Sequence, residues 1–365
     1  MNQQARATTR SLPGCIATGV LILVTSFWTY WGVGEMYYEG WGLPFPTPLR
    51  YLLPPALCLA LSLVALTWPR GGGWLLVVIG GAFSIWWSNL AAARGWLSLQ
   101  WVLTTLLPLG GLLLVTGALF ILEARHRRRL KHQGRAPSTG WLRRNLRYVL
   151  AIGLPLLTTA VVSVHFAPII LTRVDDGGRG ARLIEGNGIA LIWAPRGPGW
   201  NWQPEPNHHL SWDQIALYGV PPVGLGDKPG YGYHDRHAGA EEMDNACLCR
   251  YLSEDGRRLL PQPQDIWRMP TTDEIVRSLV RAGENAKCTW DTKSGSADCL
   301  RQPNKDTPLW ASDEQPIYYW SADEYDAESA WYVPYTGGGR YGGTISHQPK
   351  SWGNPRHGYR CVRDP

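Results

Sequence analysis

The chain has 365 residues, with 35 Lys and Arg against 29 Asp and Glu and 20 tryptophans, a length that accommodates two domains. Its mean hydropathy of -0.18 and pI near 8.9 average over two unlike halves. Residues 1–171 hold three acidic residues against 14 Lys and Arg, a net +11, whereas residues 172–365 hold 26 acidic against 21 basic, a net −5. The basic excess sits in an apolar, acid-poor half, which excludes reading the pI as a nucleic-acid footprint.

Five apolar stretches fill the first half, at about residues 14–33, 51–68, 74–92, 97–122 and 149–171. Each is long enough to cross a hydrocarbon core about 30 Å thick, so residues 1–171 are expected to be an α-helical membrane domain of five spans. The third is the most polar, with Ser84, Ser88 and Asn89 near its end. The first is too long for a cleavable signal peptide, and four more follow it. Trp28, Trp31, Trp68, Trp74, Trp96 and Trp101 cluster at span ends, where amphipathic rings meet headgroups. Proton and ion pathways need charged groups, and no Asp, Glu, Lys or Arg occupies the middle of a span. His165, near the end of the fifth, is expected to be interfacial, and Cys15 and Cys58 to pack as small polarizable side chains.

Loop charge sets the expected orientation. The segment between the fourth and fifth spans carries Arg125, Arg127, Arg128, Arg129, Lys131, Arg135, Arg143, Arg144 and Arg147, which marks it cytoplasmic. The N-terminus, with Arg6 and Arg10, lies on the same side, and Glu35 and Glu39 lie outside. Five spans from an inside start put the C-terminal half outside the cytoplasm. The basic loop reads first as a topology determinant and second as an attractor of anionic membrane lipid.

Residues 172–180 (TRVDDGGRG) form a polar linker, and residues 181–365 an extracytoplasmic domain of short strands and Gly- and Pro-rich loops. Strands are predicted at Ala190–Trp193, Ile317–Trp320, Ala330–Pro334 and Gly358–Arg363, and helices at Glu241–Leu252 and Thr272–Ala282. Thr271 and Glu274 have capping-box spacing: the threonine oxygen accepts from the N3 amide while the glutamate reaches back. Five cysteines (Cys247, Cys249, Cys288, Cys299, Cys361) lie here, in a compartment where disulfides persist, and the odd number leaves at least one unpaired within the chain. Cys288 and Cys299 bracket a polar segment that a disulfide would close, at roughly 3 kcal/mol on the chain-entropy model.

Four motifs then occur in order: ACLCRYLS at 246–253, WRMPTTDE at 267–274, YWSADEYDAESAWYV at 319–333 and GYRCV at 358–362. They resemble the formylglycine-generating-enzyme (sulfatase-modifying factor) superfamily and, through the third, the Lcl-type domain at the end of collagen-like adhesins. The resemblance covers residues 185–365 and none of the membrane half. It implies an α+β C-type-lectin-like fold, with two helices on a small twisted sheet. It also implies a Cys249–Cys361 disulfide tying the first helix to the last strand, with Cys247 left over. Arg268, Pro270, Thr271, Glu274, Trp320, Trp331 and Arg360 stand at motif positions and are expected to serve the fold. The copper-binding cysteine pair of those enzymes has no counterpart, since residues 300–360 contain no cysteine, so no catalytic residue is assigned. A Cys-x-Cys metal site of Cys247 and Cys249 with His234 or His237 is the alternative for those thiols.

The remaining candidates are bland. His208 and His209, beside Trp212 and Asp213, are ligand or acid–base types but are expected to be exposed loop residues. Asp323, Glu324, Asp326 and Glu328 offer oxygens of the kind calcium takes as a cofactor, yet read first as a solvated acidic turn. Gly186–Gly188 and Gly337–Gly339 read as turns. The expectation is a recognition or assembly module that binds another protein or a surface glycan and no nucleic acid. The alternatives are an accessory subunit of a membrane complex and a divergent enzyme of the same superfamily.

Overall fold

The computed structural model describes residues 11–40, 45–93, 97–132, 141–171, 177–205, 208–225, 236–303, 311, 313–338 and 343–365. Arg6, Arg10, Trp96, Arg135, His234, Gly339 and linker residues 172–176 lie outside these. The chain divides into two compact units, one within residues 1–166 and one over 167–365.

The first unit is helical: α1 (Leu12–Tyr38), α2 (Leu53–Thr67), α3 (Pro69–Ala93), the single turn α4 (Leu99–Trp101), α5 (Leu112–His132) and α6 (Trp141–Leu171). Five of its helical stretches are long and apolar enough to span a bilayer, which makes this a membrane protein. Four of them outrun the apolar stretches read from sequence because flanking residues such as Met36 and Arg70 continue the helices, and the fifth, Asn145–Phe166, begins and ends earlier than the stretch read there. Ser11 caps α1, its side chain accepting from the Gly14 amide. A π-helical stretch, Val102–Gly111, joins α4 to α5 and contains Pro108, which lacks the amide a regular ladder needs.

Small residues bring α3 and α5 together. A Cβ on Gly73 would lie 2.8 Å from the Gly117 carbonyl oxygen, one on Gly117 would lie 2.6 Å from that of Gly73, and one on Gly80 would lie 2.9 Å from Leu113 Cβ. In lipid such close approach supplies the packing that a hydrophobic force supplies in water. Polar contacts lie elsewhere: Thr25 meets Ser62 at 3.1 Å, and the Tyr148 hydroxyl donates to the Leu66 carbonyl at 3.2 Å. Glu123 is 4% exposed and is held by the Ser11 hydroxyl and by Arg127, whose Nε lies 2.6 Å away. His165 is exposed, its ring edge-on to Phe166.

The second unit is α+β. β1 (Arg182–Gly186) and β2 (Ile189–Trp193) form a hairpin whose turn residues Asn187 and Gly188 have φ of 55° and 81°, the left-handed pair that a tight hairpin requires. β11 (Val362–Arg363) adds antiparallel to β2. A four-stranded sheet runs in the order β10 (His357–Gly358), β7 (Tyr318–Glu324), β8 (Ser329–Pro334), β9 (Ser346–Pro349), with β10 parallel to β7. Two small hairpins, β3 (Val280–Arg281) with β4 (Glu284–Asn285) and β5 (Cys288–Thr289) with β6 (Asp298–Cys299), complete the strands among the described residues. α7 (Trp212–Ala216), α8 (Ala240–Ala246) and α9 (Thr272–Arg277) flank a core that includes Trp212, Ile215, Leu248, Leu252, Trp267 and Trp320.

Three predicted elements are corrected. The helix expected over Glu241–Leu252 stops at Ala246, because Cys247 is extended (ψ 154°) and a 3-10 turn, Leu248–Tyr251, follows. The helix expected to reach Ala282 ends at Arg277, since Val280–Asn285 turns back through Ala282 and Gly283 at φ of 51° and 79°. The last strand is two: β10 pairs with β7 and β11 with β2, so residues 359–361 cross between sheets. Cys249 is bonded to Cys361 and Cys288 to Cys299, the latter pair directly opposite in the β5–β6 hairpin.

The α3–α5 contact gives a direct test. Gly117→Val should lower stability in detergent by about 1–3 kcal/mol, as overpacking does, whereas Gly81→Val, with nothing within 4 Å of its Cβ, should leave it within about 0.5 kcal/mol. Equal melting temperatures for the two variants would refute the close contact.

Candidate functional site

The motif residues build a frame. Thr271 caps α9, its side chain accepting from the Glu274 amide, and Glu274 Oε2 accepts from the Thr271 amide at 2.9 Å. Arg268 grips the same carboxylate with both terminal nitrogens, at 2.7 and 2.6 Å. Burial would push the Glu274 carboxyl up, but Arg268 and the Thr271 amide outweigh it and hold it below the usual range. The Pro270 carbonyl accepts from the Ala322 amide at 2.7 Å, tying the helix start to β7. Trp320 is fully buried. Arg360 is buried with its guanidinium 3.6 Å from the Trp200 ring centroid and its Nε donating to the Ala194 carbonyl at 2.7 Å.

Trp331 stands apart from this frame. β8 buries Ala330 and Tyr332, so the residue between them projects from the other face, where it is half-buried. Register sets His347 of β9 directly opposite, with ring centroids 5.9 Å apart. Tyr325, 49% exposed after β7, stacks on His347 at 3.7 Å and meets Trp331 edge-on at 5.1 Å. Trp290 from the disulfide-closed β5–β6 segment closes the other side of Trp331 at 5.2 Å. Four rings thus form a contiguous, partly exposed shelf, and Asp326 lies near enough for His347 to help lower its carboxyl, after the larger pull of the Glu328 amide. Such a shelf offers flat apolar area with polar edges, at little loss of side-chain freedom.

Asp213, fully buried, accepts from His237 Nδ1 at 2.8 Å and from the Ala238 amide at 2.9 Å. Burial pushes its carboxyl above the usual range against the pull of Ala238, His237 and Lys350. Lys350, also buried, donates to the Ala238 carbonyl and to Glu324 Oε2, each at 2.8 Å, and lies 4.9 Å from the Trp212 ring centroid. Asp213 and Lys350 are each satisfied by their own partners, and the Asp213 amide donates to the Lys350 carbonyl at 3.0 Å, which fastens α7 to the end of β9. His208 and His209 are not loose loop residues as expected: their rings lie 3.0 Å from Gln214 Nε2 and 3.1 Å from Gln203 Nε2.

The acidic turn is likewise engaged. Asp323 accepts from the Thr272 amide at 2.6 Å, Glu324 holds Lys350, and Asp326 accepts from the Glu328 and Ser329 amides at 2.9 and 2.7 Å. These carboxylates serve different partners. The Cys-x-Cys alternative is corrected by the disulfide: Cys249 Sγ is bonded to Cys361, and Cys247 is a buried free thiol. Among the described residues, no group of three or more His, Cys, Asp or Glu converges as metal ligands would. The chain matches no family model, no curated protein and no solved structure.

His357, beside the cross-over, went unnoticed in the sequence. It is 5% exposed and boxed by Tyr318, Trp320, Tyr332 and Trp352 at 4.9–5.7 Å, with no hydrogen-bond partner for either ring nitrogen among the described residues. Burial pushes its pKa down to about 3. An unfolded imidazole protonates near pH 6.5, so the unfolded chain gains a proton first as pH falls, and stability is lost from about pH 6.5 downward. Glu274, with its folded pKa depressed, contributes stability that is present above about pH 4.3 and lost as pH falls below it. Melting curves against pH should therefore show His357→Phe with a shallower slope between about pH 6.5 and 5, and Glu274→Gln with a shallower slope only below about pH 4.3. Slopes identical to the parent in both windows would contradict both assignments.

Proposed function

We propose that this protein is a membrane-anchored recognition module whose C-terminal unit lies outside the cytoplasm and binds through the shelf of Trp290, Tyr325, Trp331 and His347. The observation that carries the reading is four partly exposed rings that meet where the disulfide-closed β5–β6 segment, through Trp290, reaches the face of the four-stranded sheet. Trp and Tyr dominate binding energy where they gather on a rigid surface. A glycan suits this one: aromatic faces take up the C–H faces of sugar rings, and carboxylates such as Asp326 accept from hydroxyls. The likeness of residues 185–365 to sulfatase-modifying-factor and Lcl-type domains supports a C-type-lectin-like scaffold, one in which residues 300–360 lack the cysteines for copper oxidase chemistry.

Orientation has its own test. The nine Lys and Arg between Glu123 and Arg147 favour a cytoplasmic α5–α6 connection, so a reporter fused after Pro365 should be active only outside and one inserted near Arg135 only inside. Activity of the C-terminal fusion in the cytoplasm would sink the orientation.

For the shelf, full-length protein in nanodiscs should bind a subset of an array of surface glycans. Trp331→Ala should weaken that binding by at least about tenfold, the scale of a hot-spot residue, while Trp331→Phe retains most of it. Binding that survives Trp331→Ala unchanged, or no glycan bound at all, would end the proposal.

A further inference from the structure

The rings of the shelf do not lie in one plane. Trp331 stands at 85° to Tyr325 and at 74° to Trp290, while Tyr325 and His347 are parallel to within 4°. Ring faces are therefore set nearly at right angles. A single plane takes up the broad face of a sugar, whereas faces at right angles converge on a compact group. The face of an aromatic ring is its negative pole, and it attracts cations within about 6 Å of the centroid. The indole N–H of Trp290, the positive edge of that ring, is spent on the Ser294 carbonyl.

The surrounding charge has the same sign as the ring faces. Residues 289–299, 323–331 and 346–350, which carry the rings, hold six Asp and Glu against two Lys. One of those lysines, Lys350, is buried and paired with Glu324. The turn from Tyr325 to Trp331 exposes Asp326 and Glu328 and contains no Lys or Arg. Asp326 follows Tyr325 directly and lies near enough to His347 for their charges to interact. Its Oδ1 accepts from the Glu328 and Ser329 amides at 2.9 and 2.7 Å, which fixes the carboxylate in the turn.

We infer that the shelf selects glycans that carry an ammonium group, with the cation against the faces of Trp331 and Tyr325 and within reach of Asp326. The inference rests on the shelf being the glycan-binding surface. Charge complementarity selects this occupant. An acidic sugar would meet Asp326 and Glu328 as like charges, which costs affinity, and a neutral one would cover the rings without engaging the charge beside them.

The test titrates full-length protein in nanodiscs with two oligosaccharides of equal length. One is a glucosamine oligosaccharide with trimethylated amines, cationic at any pH, and the other is its N-acetylated, neutral counterpart. The parent should bind the cationic one about fivefold or more tightly, the scale of one cation–π contact at an exposed site. Asp326→Asn keeps the oxygen that the turn uses and should reduce this preference while leaving the neutral ligand's affinity unchanged. Trp331→Ala should weaken both ligands. Added salt gives a reading that needs no variant, since it should weaken the cationic ligand alone. Equal binding of the two by the parent, or tighter binding of the neutral one, overturns the charge selection and leaves the shelf standing. A parent-like preference in Asp326→Asn overturns it as well, and so does parent-like cationic binding in Trp331→Ala, which would trace the attraction to net charge alone. Failure of the parent to bind the cationic ligand overturns it whichever neutral glycans an array returns, whereas a blank array is the separate failure of the shelf itself.

Discussion

The buried guanidinium of Arg360 holds the C-terminal unit together at the point where its two sheets exchange a strand. Residues 357–363 enter beside β7, cross as Tyr359–Cys361, and leave beside β2. Each step of the crossing is fixed from outside the segment. The Tyr359 amide donates to Asn201 Oδ1 at 2.9 Å, Arg360 lies over Trp200, and Cys361 is bonded to Cys249. Gly358 permits the approach, since a Cβ there would lie 2.0 Å from Asn201 Oδ1. This crossing joins the four-stranded sheet, and the shelf on it, to the three-stranded sheet.

That frame sorts the polar groups of the unit. Lys350, Asp213 and Arg360 are buried and partnered, so removing a partner leaves a polar or charged group unsatisfied away from water. His357 differs, kept neutral by its surroundings rather than satisfied by them. The rings of Trp331, Tyr325 and His347 gather instead on one partly exposed face of the sheet.

Sequence reasoning succeeded where the signal is local. Apolar length marks a span without knowledge of neighbours, and Thr271 and Glu274 sit three residues apart, so their reciprocal caps can be read directly. It fell short where a neighbour decides. The helix after Thr272 was drawn too long because its end depends on Val280 pairing with Asn285. Trp331 was legible as a motif residue, but its shelf requires the register that sets it opposite His347 and the fold that brings Trp290 beside it. Lys350 carried no mark of burial, since a lysine next to Pro349 reads as a solvated turn, and His237 as the partner of Asp213 depends on a contact 24 residues away.

The pairing of β11 with β2 also sets an order of events. The hairpin that begins at Arg182 has an open edge along β2 until Val362 arrives to cover it. As synthesis proceeds from the N-terminal side, the first sheet of this unit is complete only after nearly all the rest of it has been made. The Cys249 thiol meanwhile waits 112 residues for its partner, beside the thiol of Cys247. An early oxidation between those near neighbours would trap the chain before its last strand could dock, which makes the order of thiol oxidation part of how the unit folds.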